Sequence, residues 1–146
     1  MLIAMIIASI TDIKKKEIPI FLFPLFTTIF ITINHAVIHP IDSLLGFVIG
    51  AISFSILAWK FSGGGGDIIM MSCIGAAYGT KILSHIIIIS SIMILVYYII
   101  MKIQKKTKRT VPYAPFVTIS FIFLLLGGIF YGIYDYRFLE NGYFLL

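Results

Sequence analysis

Long apolar runs, separated by short polar stretches, constrain this chain more than any single motif does. Sixty per cent of its 146 residues are hydrophobic and 12% are charged, and the mean hydropathy is +1.10. A soluble domain needs far more surface charge than this to stay in water. The net charge of +5 does not indicate nucleic-acid binding, because the basic residues lie in short loops where they fix membrane topology. The pattern therefore predicts an all-α membrane protein.

The apolar runs predict about six transmembrane helices in a single membrane-embedded domain over residues 1–146. Their predicted bounds are 1–13, 20–38, 43–60, 67–80, 82–101 and 111–132. The first and the fourth are shorter than the ~20 residues that cross a bilayer core. The pairs Gly46-xxx-Gly50 and Gly75-xxx-Gly79 have the small-residue spacing that lets helices approach closely in lipid. We expect these glycines, with the similar pair Gly128-xxx-Gly132, at helix interfaces.

The lysines and arginines are distributed unequally between the predicted loops. Nine of the 11 lie at 14–19, 60–66 and 102–110, whereas Lys81 and Arg137 fall on the opposite side. Loops rich in Lys and Arg stay in the cytoplasm. The charges therefore predict a multi-pass protein of the inner (plasma) membrane with its N-terminus outside and these three loops inside.

Asp12 and Asp67 are acids in strongly apolar surroundings, where a carboxylate is costly to keep and points to function. Asp12 ends the first predicted span and Asp67 begins the fourth, so the topology puts both at the same cytoplasmic depth. Two close carboxyls that share one proton can hydrolyse a peptide. The ionised carboxyl takes a proton from the attacking water, and the other supports the developing oxyanion. We therefore predict that Asp12 and Asp67 form one catalytic site.

A run of glycines precedes the second of these acids. Without a Cβ, Gly64, Gly65 and Gly66 can take strained dihedral angles and let an extended substrate backbone come close. Irregular backbone at membrane depth is tolerated where it lines a cavity. These glycines are therefore predicted to support the site, although a glycine run before a helix is also typical of a plain flexible loop.

Each acid also has a plainer interpretation. Asp67 at the start of a helix can simply complement the helix dipole. Asp12 can form an interfacial ion pair with Lys15 or Lys16. Their placement at one depth favours the catalytic interpretation over these two.

Metal and thiol chemistry is not predicted. His35 and His39 have no third histidine or carboxylate at ligand spacing on a shared helix face. Cys73 is the single cysteine, which excludes an intramolecular disulfide and a cysteine zinc site. We expect no cofactor and no metal, and we expect Cys73 to be a buried apolar residue.

Three segments carry a resemblance to a known family. Asp12 with the Lys-Lys-Lys-Glu-Ile-Pro that ends at Pro19 resembles the signature closing the first helix of the type IV prepilin peptidase family. Gly64-Gly65-Gly66-Asp67 matches that family's Gly-x-Gly-Asp motif. The segment Val-Pro-Tyr-Ala-Pro-Phe at 111–116 is similar to its Pro-Phe-Gly-Pro-Phe element. The three matches come in the family's order and cover the peptidase domain nearly end to end.

The resemblance implies a polytopic aspartyl endopeptidase that removes short basic leaders from prepilin or pseudopilin precursors at the cytoplasmic face. By motif match, Asp12 and Asp67 would be catalytic, and Pro19, Pro112 and Pro115 would support the site. The cysteine-bearing region associated with N-methylation in bifunctional members has no counterpart in this sequence. The resemblance therefore does not extend to methyltransferase activity.

Two other classes of function remain open on the residues alone. A small ion- or proton-coupled transporter would bind its cation between paired membrane acids, but it favours acids deeper within the spans. A non-enzymatic scaffold of a secretion system would use the small-residue faces for contact, but it gives no reason for two acids at one depth. The predicted partners are prepilin-like precursors and membrane lipid, with no nucleic acid.

Overall fold

Five α-helices make up most of the chain that a computed structural model describes, which is residues 1–15, 18–34, 39–61, 64–104 and 112–131. They are α1 (Leu2–Lys15), α2 (Leu22–Asn34), α3 (Pro40–Phe61), α4 (Gly65–Ile103) and α5 (Ala114–Tyr131). This part of the chain contains no strand, so the all-α class is confirmed. Several predictions lie outside the described residues: those for Lys16, His35, Gly132, Arg137 and most of the 102–110 loop.

Helix α4 covers the residues predicted to form the fourth and fifth spans. It is interrupted only at Gly79, whose φ of 77° and ψ of −179° are available to little other than glycine. The helix resumes at Thr80 because Asp42 on α3 accepts hydrogen bonds from the Thr80 backbone N–H (3.2 Å) and hydroxyl (2.6 Å). The structure therefore corrects the predicted loop near Lys81 to a one-residue kink at Gly79, and the fourth and fifth predicted helices run on as the two parts of α4 on either side of it.

The helices differ in whether they could cross a membrane. Within the described residues, only α4 is long and apolar enough to do so by length and composition. Its 39 residues would extend about 60 Å if straight, roughly twice the hydrocarbon core. The apolar stretches of the other helices are shorter: Leu22–Thr32, Pro40–Ile56 and Ala114–Gly127. The multi-pass topology stays a prediction.

The closest backbone packing joins α3 to the first part of α4. A Cβ at Gly46 would overlap the Gly75 carbonyl oxygen, and a Cβ at Gly75 would overlap that of Gly46. One turn further along α3, a Cβ at Gly50 would lie 2.6 Å from the Met71 carbonyl oxygen. The predicted close approach is thus confirmed for Gly46, Gly50 and Gly75. It fixes α3 firmly along the part of α4 that begins at the glycine run.

Helices α1, α2 and α5 pack around this pair. Tyr78 of α4 lies between Phe30 of α2 (ring centroids 4.8 Å apart) and Phe121 of α5 (5.1 Å). Helix α1 buries one face, formed by Ala4, Met5, Ala8, Ser9 and Asp12. Since Asp12 belongs to the buried face of α1, packing of this helix turns its carboxyl toward the other helices.

The kink at Gly79 provides a test of the bond from Asp42. Asp42→Asn keeps a side-chain oxygen that can accept from Thr80, so stability should change by less than about 0.5 kcal/mol. Asp42→Ala leaves the Thr80 N–H unsatisfied and should lower the free energy of unfolding by about 1–3 kcal/mol. Thermal unfolding of both variants in detergent measures this, and equal midpoints would show that the bond does not hold the kink.

Candidate active site

Asp12 lies in the last turn of α1 and is bonded to the start of α5. Its side chain is buried, and its Oδ2 accepts a hydrogen bond of 3.0 Å from the backbone N–H of Ala114. The first amides of a helix lack partners within it, and a carboxylate there is stabilised by the N–H and by the helix dipole. Asp12 thus caps α5 from another helix. The hydrogen bond that the structure gives Asp12 goes to Ala114, and not to Lys15 as in the ion-pair interpretation.

The first turn of α5, which contains Pro115, has one amide left for Asp12. Pro115 has no N–H to satisfy. The N–H groups of Phe116 and Val117 both donate to the Tyr113 carbonyl, at 3.1 and 3.3 Å. Ala114 therefore carries the one amide in this first turn that needs an outside acceptor. Pro112 and Pro115, both predicted to support the site, lie beside it.

Asp67 lies in the first turn of α4, where its N–H donates to the Gly64 carbonyl at 3.2 Å. Its Oδ1 is buried and accepts no hydrogen bond from the residues that the structure describes. Buried polar atoms are normally satisfied, and an exception needs an explanation. A proton shared with another acid, or a polar group of a bound substrate, would satisfy this oxygen.

The structure brings the two acids together. Ile18, three residues after α1 ends, packs on Gly66 in the first turn of α4, and Asp12 is near enough for its charge to act on Asp67. Their surroundings differ, because Asp12 has an oxygen bound by a peptide N–H whereas Asp67 has a buried oxygen with no described partner. Such a pair can divide the roles of base and acid between its members.

The glycine run shapes the start of α4 by contact and not by strain. A Cβ at Gly66 would lie 2.8 Å from the Cβ of Ile18, so Ile18 sits directly on this residue. Pro19 follows, and its carbonyl accepts from the Leu22 N–H at 3.2 Å in the turn that leads into α2. The segment Ile18–Pro19 therefore packs against the first turn of α4, a role that the sequence did not suggest for Ile18.

The expected strained dihedral angles are not found in the described part of this run. Gly64 has an ordinary extended conformation (φ −74°, ψ 144°), and Gly65 and Gly66 are helical. A Cβ at Gly65 would meet nothing within 4 Å among the residues that the structure describes, so these leave the backbone open on that side. The strained conformation occurs instead at Gly79, for the packing reason given above. Gly63 lies outside the described residues.

Tyr113 is a site residue that the sequence analysis missed. Its hydroxyl lies 3.1 Å from the Ser90 Oγ, and its ring meets that of Phe54 edge-on at 5.0 Å. The hydroxyl is near enough to Asp67 for the two side chains to interact electrostatically. A polar aromatic residue between two prolines was the signal that could have indicated it.

Two buried hydroxyls, those of Ser9 and Thr118, join α1 to α5 one turn away from the bond between Asp12 and Ala114. The Ser9 Oγ lies 2.6 Å from the Thr118 Oγ1 and donates to the Met5 carbonyl at 2.8 Å. Ser9 precedes Asp12 by about one turn of α1, and Thr118 follows Ala114 by about one turn of α5. This contact keeps the two helices in the register that the bond between Asp12 and Ala114 requires.

Comparison with models of known protein families gives a match. A family model described as the type IV leader peptidase family matches residues 1–99, which is more than half of the chain. The matched range includes Asp12, Pro19 and the Gly64–Asp67 segment, whereas the segment with Pro112 and Pro115 lies beyond it. No curated protein and no solved structure matches the chain.

Proposed function

The chain belongs to the type IV leader peptidase family of prepilin-cleaving aspartic proteases, and on that premise we propose that Asp12 and Asp67 are its catalytic pair. The proposed reaction is hydrolysis of the peptide bond that joins a short basic leader to a prepilin-like protein, at the cytoplasmic face of the membrane. The observation that carries the proposal is that the two acids, at the end of α1 and the start of α4, are near enough to interact and have unequal surroundings.

The unequal surroundings suggest which acid does what. A peptide N–H at a helix N-terminus binds an ionised oxygen better than a neutral one. We therefore assign the base to Asp12, whose Oδ2 is held by Ala114. Asp67 has a buried oxygen without a described partner, so we place the shared proton on Asp67.

The reaction then needs no group beyond this pair and a water molecule. Asp12 takes a proton as the water oxygen attacks the scissile carbonyl carbon, while Asp67 gives its proton to the carbonyl oxygen. The tetrahedral intermediate collapses when Asp12 passes its proton to the leaving nitrogen and the hydroxyl proton returns to Asp67. The C–N bond breaks, the leader keeps a carboxyl group, and the pair regains its starting protonation. The open side of Gly65 offers a path for the substrate backbone.

The acids' positions also bear on the transporter hypothesis. That hypothesis favours acids deep within the spans, whereas Asp12 lies in the last turn of α1 and Asp67 in the first turn of α4. Sites at helix ends suit a substrate that is cleaved beside the membrane surface. The placement therefore supports the peptidase.

Exposed apolar side chains support an embedded, multi-pass arrangement. In α3 alone, seven large hydrophobic residues are at least 45% exposed: Ile41, Leu44, Leu45, Phe47, Ile52, Ile56 and Trp59. An apolar surface of this extent is unfavourable in water and suits lipid. We propose that the loops at 14–19, 60–66 and 102–110 face the cytoplasm, as the basic residues predict.

Cysteine labelling tests this topology. Single cysteines at Lys15, Ser62 and Lys106, in a Cys73→Ser background, should react with an impermeant thiol reagent only after the membrane is opened. The charge distribution gives the physical reason, because basic loops are retained in the cytoplasm. A cysteine at Arg137, predicted to lie outside, is the positive control in intact cells. Labelling of any of the three cytoplasmic positions in intact cells would contradict the model.

Cleavage of a prepilin tests the function itself. The purified chain in detergent or liposomes should remove the leader from a short basic-leader prepilin peptide, with two products of complementary mass. We expect the new N-terminus to be unmethylated, since the single cysteine, Cys73, is buried in α4. Mass spectrometry measures both results. Absence of cleavage with several prepilin and pseudopilin peptides would reject the proposed function, and an added methyl group would reject the second expectation alone.

A further inference from the structure

Tyr113 is bonded across the site in a way that the hydrolysis scheme does not use. We propose that its hydroxyl is a positioning group, whose hydrogen bond to Ser90 fixes the peptide that holds Asp12. This inference rests on the proposed function, because it concerns the geometry of the same acid pair. It adds a polar link between the second part of α4 and the start of α5.

The direction of the hydrogen bonds follows from counting protons. The Ser90 hydroxyl has one hydrogen, and it donates that hydrogen to the Ile87 carbonyl at 3.2 Å. With that hydrogen used, we assign the hydrogen of the 3.1 Å contact between the Ser90 Oγ and the Tyr113 hydroxyl to the tyrosine. Ser90 is fully buried, so water does not compete for it. Tyr113 is thus a donor with one fixed acceptor.

The peptide between Tyr113 and Ala114 is held from both sides. Its carbonyl accepts from the N–H groups of Phe116 and Val117, and its N–H donates to the Asp12 Oδ2. A peptide group is planar, so any rotation that moves the carbonyl also turns the N–H away from Asp12. Tyr113 carries this carbonyl, so contacts that hold its side chain restrict the rotation.

Two contacts hold that side chain. The ring meets Phe54 of α3 at 5.0 Å, and the hydroxyl meets Ser90 of α4. Helix α4 also carries Asp67, so the tyrosine ties the amide that holds Asp12 to the helix that carries the other acid. Catalytic groups must be held closely in place, and a small displacement costs rate without costing substrate affinity.

The experiment measures kcat and KM separately for the prepilin peptide. Tyr113→Phe keeps the ring on Phe54 and removes only the hydroxyl; Ser90→Ala removes the acceptor. Each should lower kcat about tenfold with KM unchanged within about twofold and the unfolding midpoint in detergent nearly unchanged. Because both variants break the same bond, the double variant should be no slower than the slower single variant.

Tyr97→Phe is the matched control. Tyr97 also lies between α4 and α5, with its ring 5.5 Å from that of Phe116, so this change removes a tyrosine hydroxyl from the same pair of helices. Its kcat should stay within about twofold of the wild-type value.

The outcomes separate this inference from the proposed function. If the wild-type chain cleaves the peptide but Tyr113→Phe and Ser90→Ala retain full kcat, the positioning role is wrong and the function stands. A loss that follows a lowered unfolding midpoint or a raised KM would equally reject positioning, since it would show a structural or binding role. A wild-type chain that cleaves nothing would overturn both.

Discussion

Asp12→Asn and Asp67→Asn should each abolish leader removal, with kcat/KM lower by at least about 10³-fold, while the chain still inserts and folds. Asparagine is the most conservative replacement at position 12, because its side-chain oxygen can still accept a hydrogen bond from the Ala114 N–H and so preserve the cap on α5. The change removes the proton acceptor and little else. Cleavage of a basic-leader prepilin peptide, measured at matched amounts of folded protein, gives the result.

The two acids are expected to act as one unit, so the double variant should be no worse than either single variant. Asp42→Asn is the matched control. Asp42 lies at the other end of the first part of α4, about 18 Å of helix from Asp67, and it should keep wild-type activity. If Asp12 had only a structural role, Asp12→Asn would retain measurable activity, and that result at normal expression would end the aspartic-protease assignment of this pair.

A shared proton also fixes the shape of the pH dependence. The active form carries one proton on the pair, so the rate should rise as the first carboxyl ionises and fall as the second does. The profile is then bell-shaped, with two macroscopic pKa values that belong to the pair and not to either acid. A rate that changes through a single ionisation across the accessible pH range would contradict the shared proton.

The second large effect is expected at the contact between α3 and α4. Gly75→Ala places a Cβ on the carbonyl oxygen of Gly46, and neither backbone can move aside cheaply in a packed helix pair. We expect the free energy of unfolding to fall by about 2–3 kcal/mol, as for other overpacked cores. Gly46→Ala should behave alike, because its Cβ meets Gly75. Unfolding in detergent by heat or denaturant measures the loss.

Gly127 of α5 provides the matched control. Among the described residues, a Cβ there meets nothing within 4 Å, so Gly127→Ala makes the same chemical change inside a helix without the clash. It should leave stability unchanged or raise it by up to about 1 kcal/mol, through the better helix propensity of alanine. Equal stability of Gly75→Ala and Gly127→Ala would show that the helices do not rely on this close approach.

Much of this arrangement could be predicted from local pattern. The apolar runs predicted a helical chain, and the spacing of Gly46, Gly50 and Gly75 predicted which helix faces approach closely. The charge counts predicted that Asp12 and Asp67 lie at one depth, and the structure has them near enough to interact. These features depend on sequence periodicity and on the distribution of charge, both of which can be read from the sequence alone.

Long-range hydrogen bonds could not be predicted in this way. The bonds from Asp12 to Ala114 and from Asp42 to Thr80 join residues 102 and 38 positions apart, and they depend on the register between helices, which a few residues of shift would change. The kink at Gly79 was missed for the same reason. The hydrogen bonds that Asp42 accepts from Thr80 offset the free-energy cost of the kink. The sequence therefore has no turn-forming residues around Gly79 that could have indicated a kink.

The bond between Asp12 and Ala114 also bears on the order of events during synthesis. A ribosome makes Asp12 some 102 residues before the amide that holds it. Until α5 has packed against α1, Asp12 has no bond to the Ala114 amide. With Asp12 and Asp67 as the proposed catalytic pair, we therefore expect the chain to gain proteolytic activity only once its last described helix is in place.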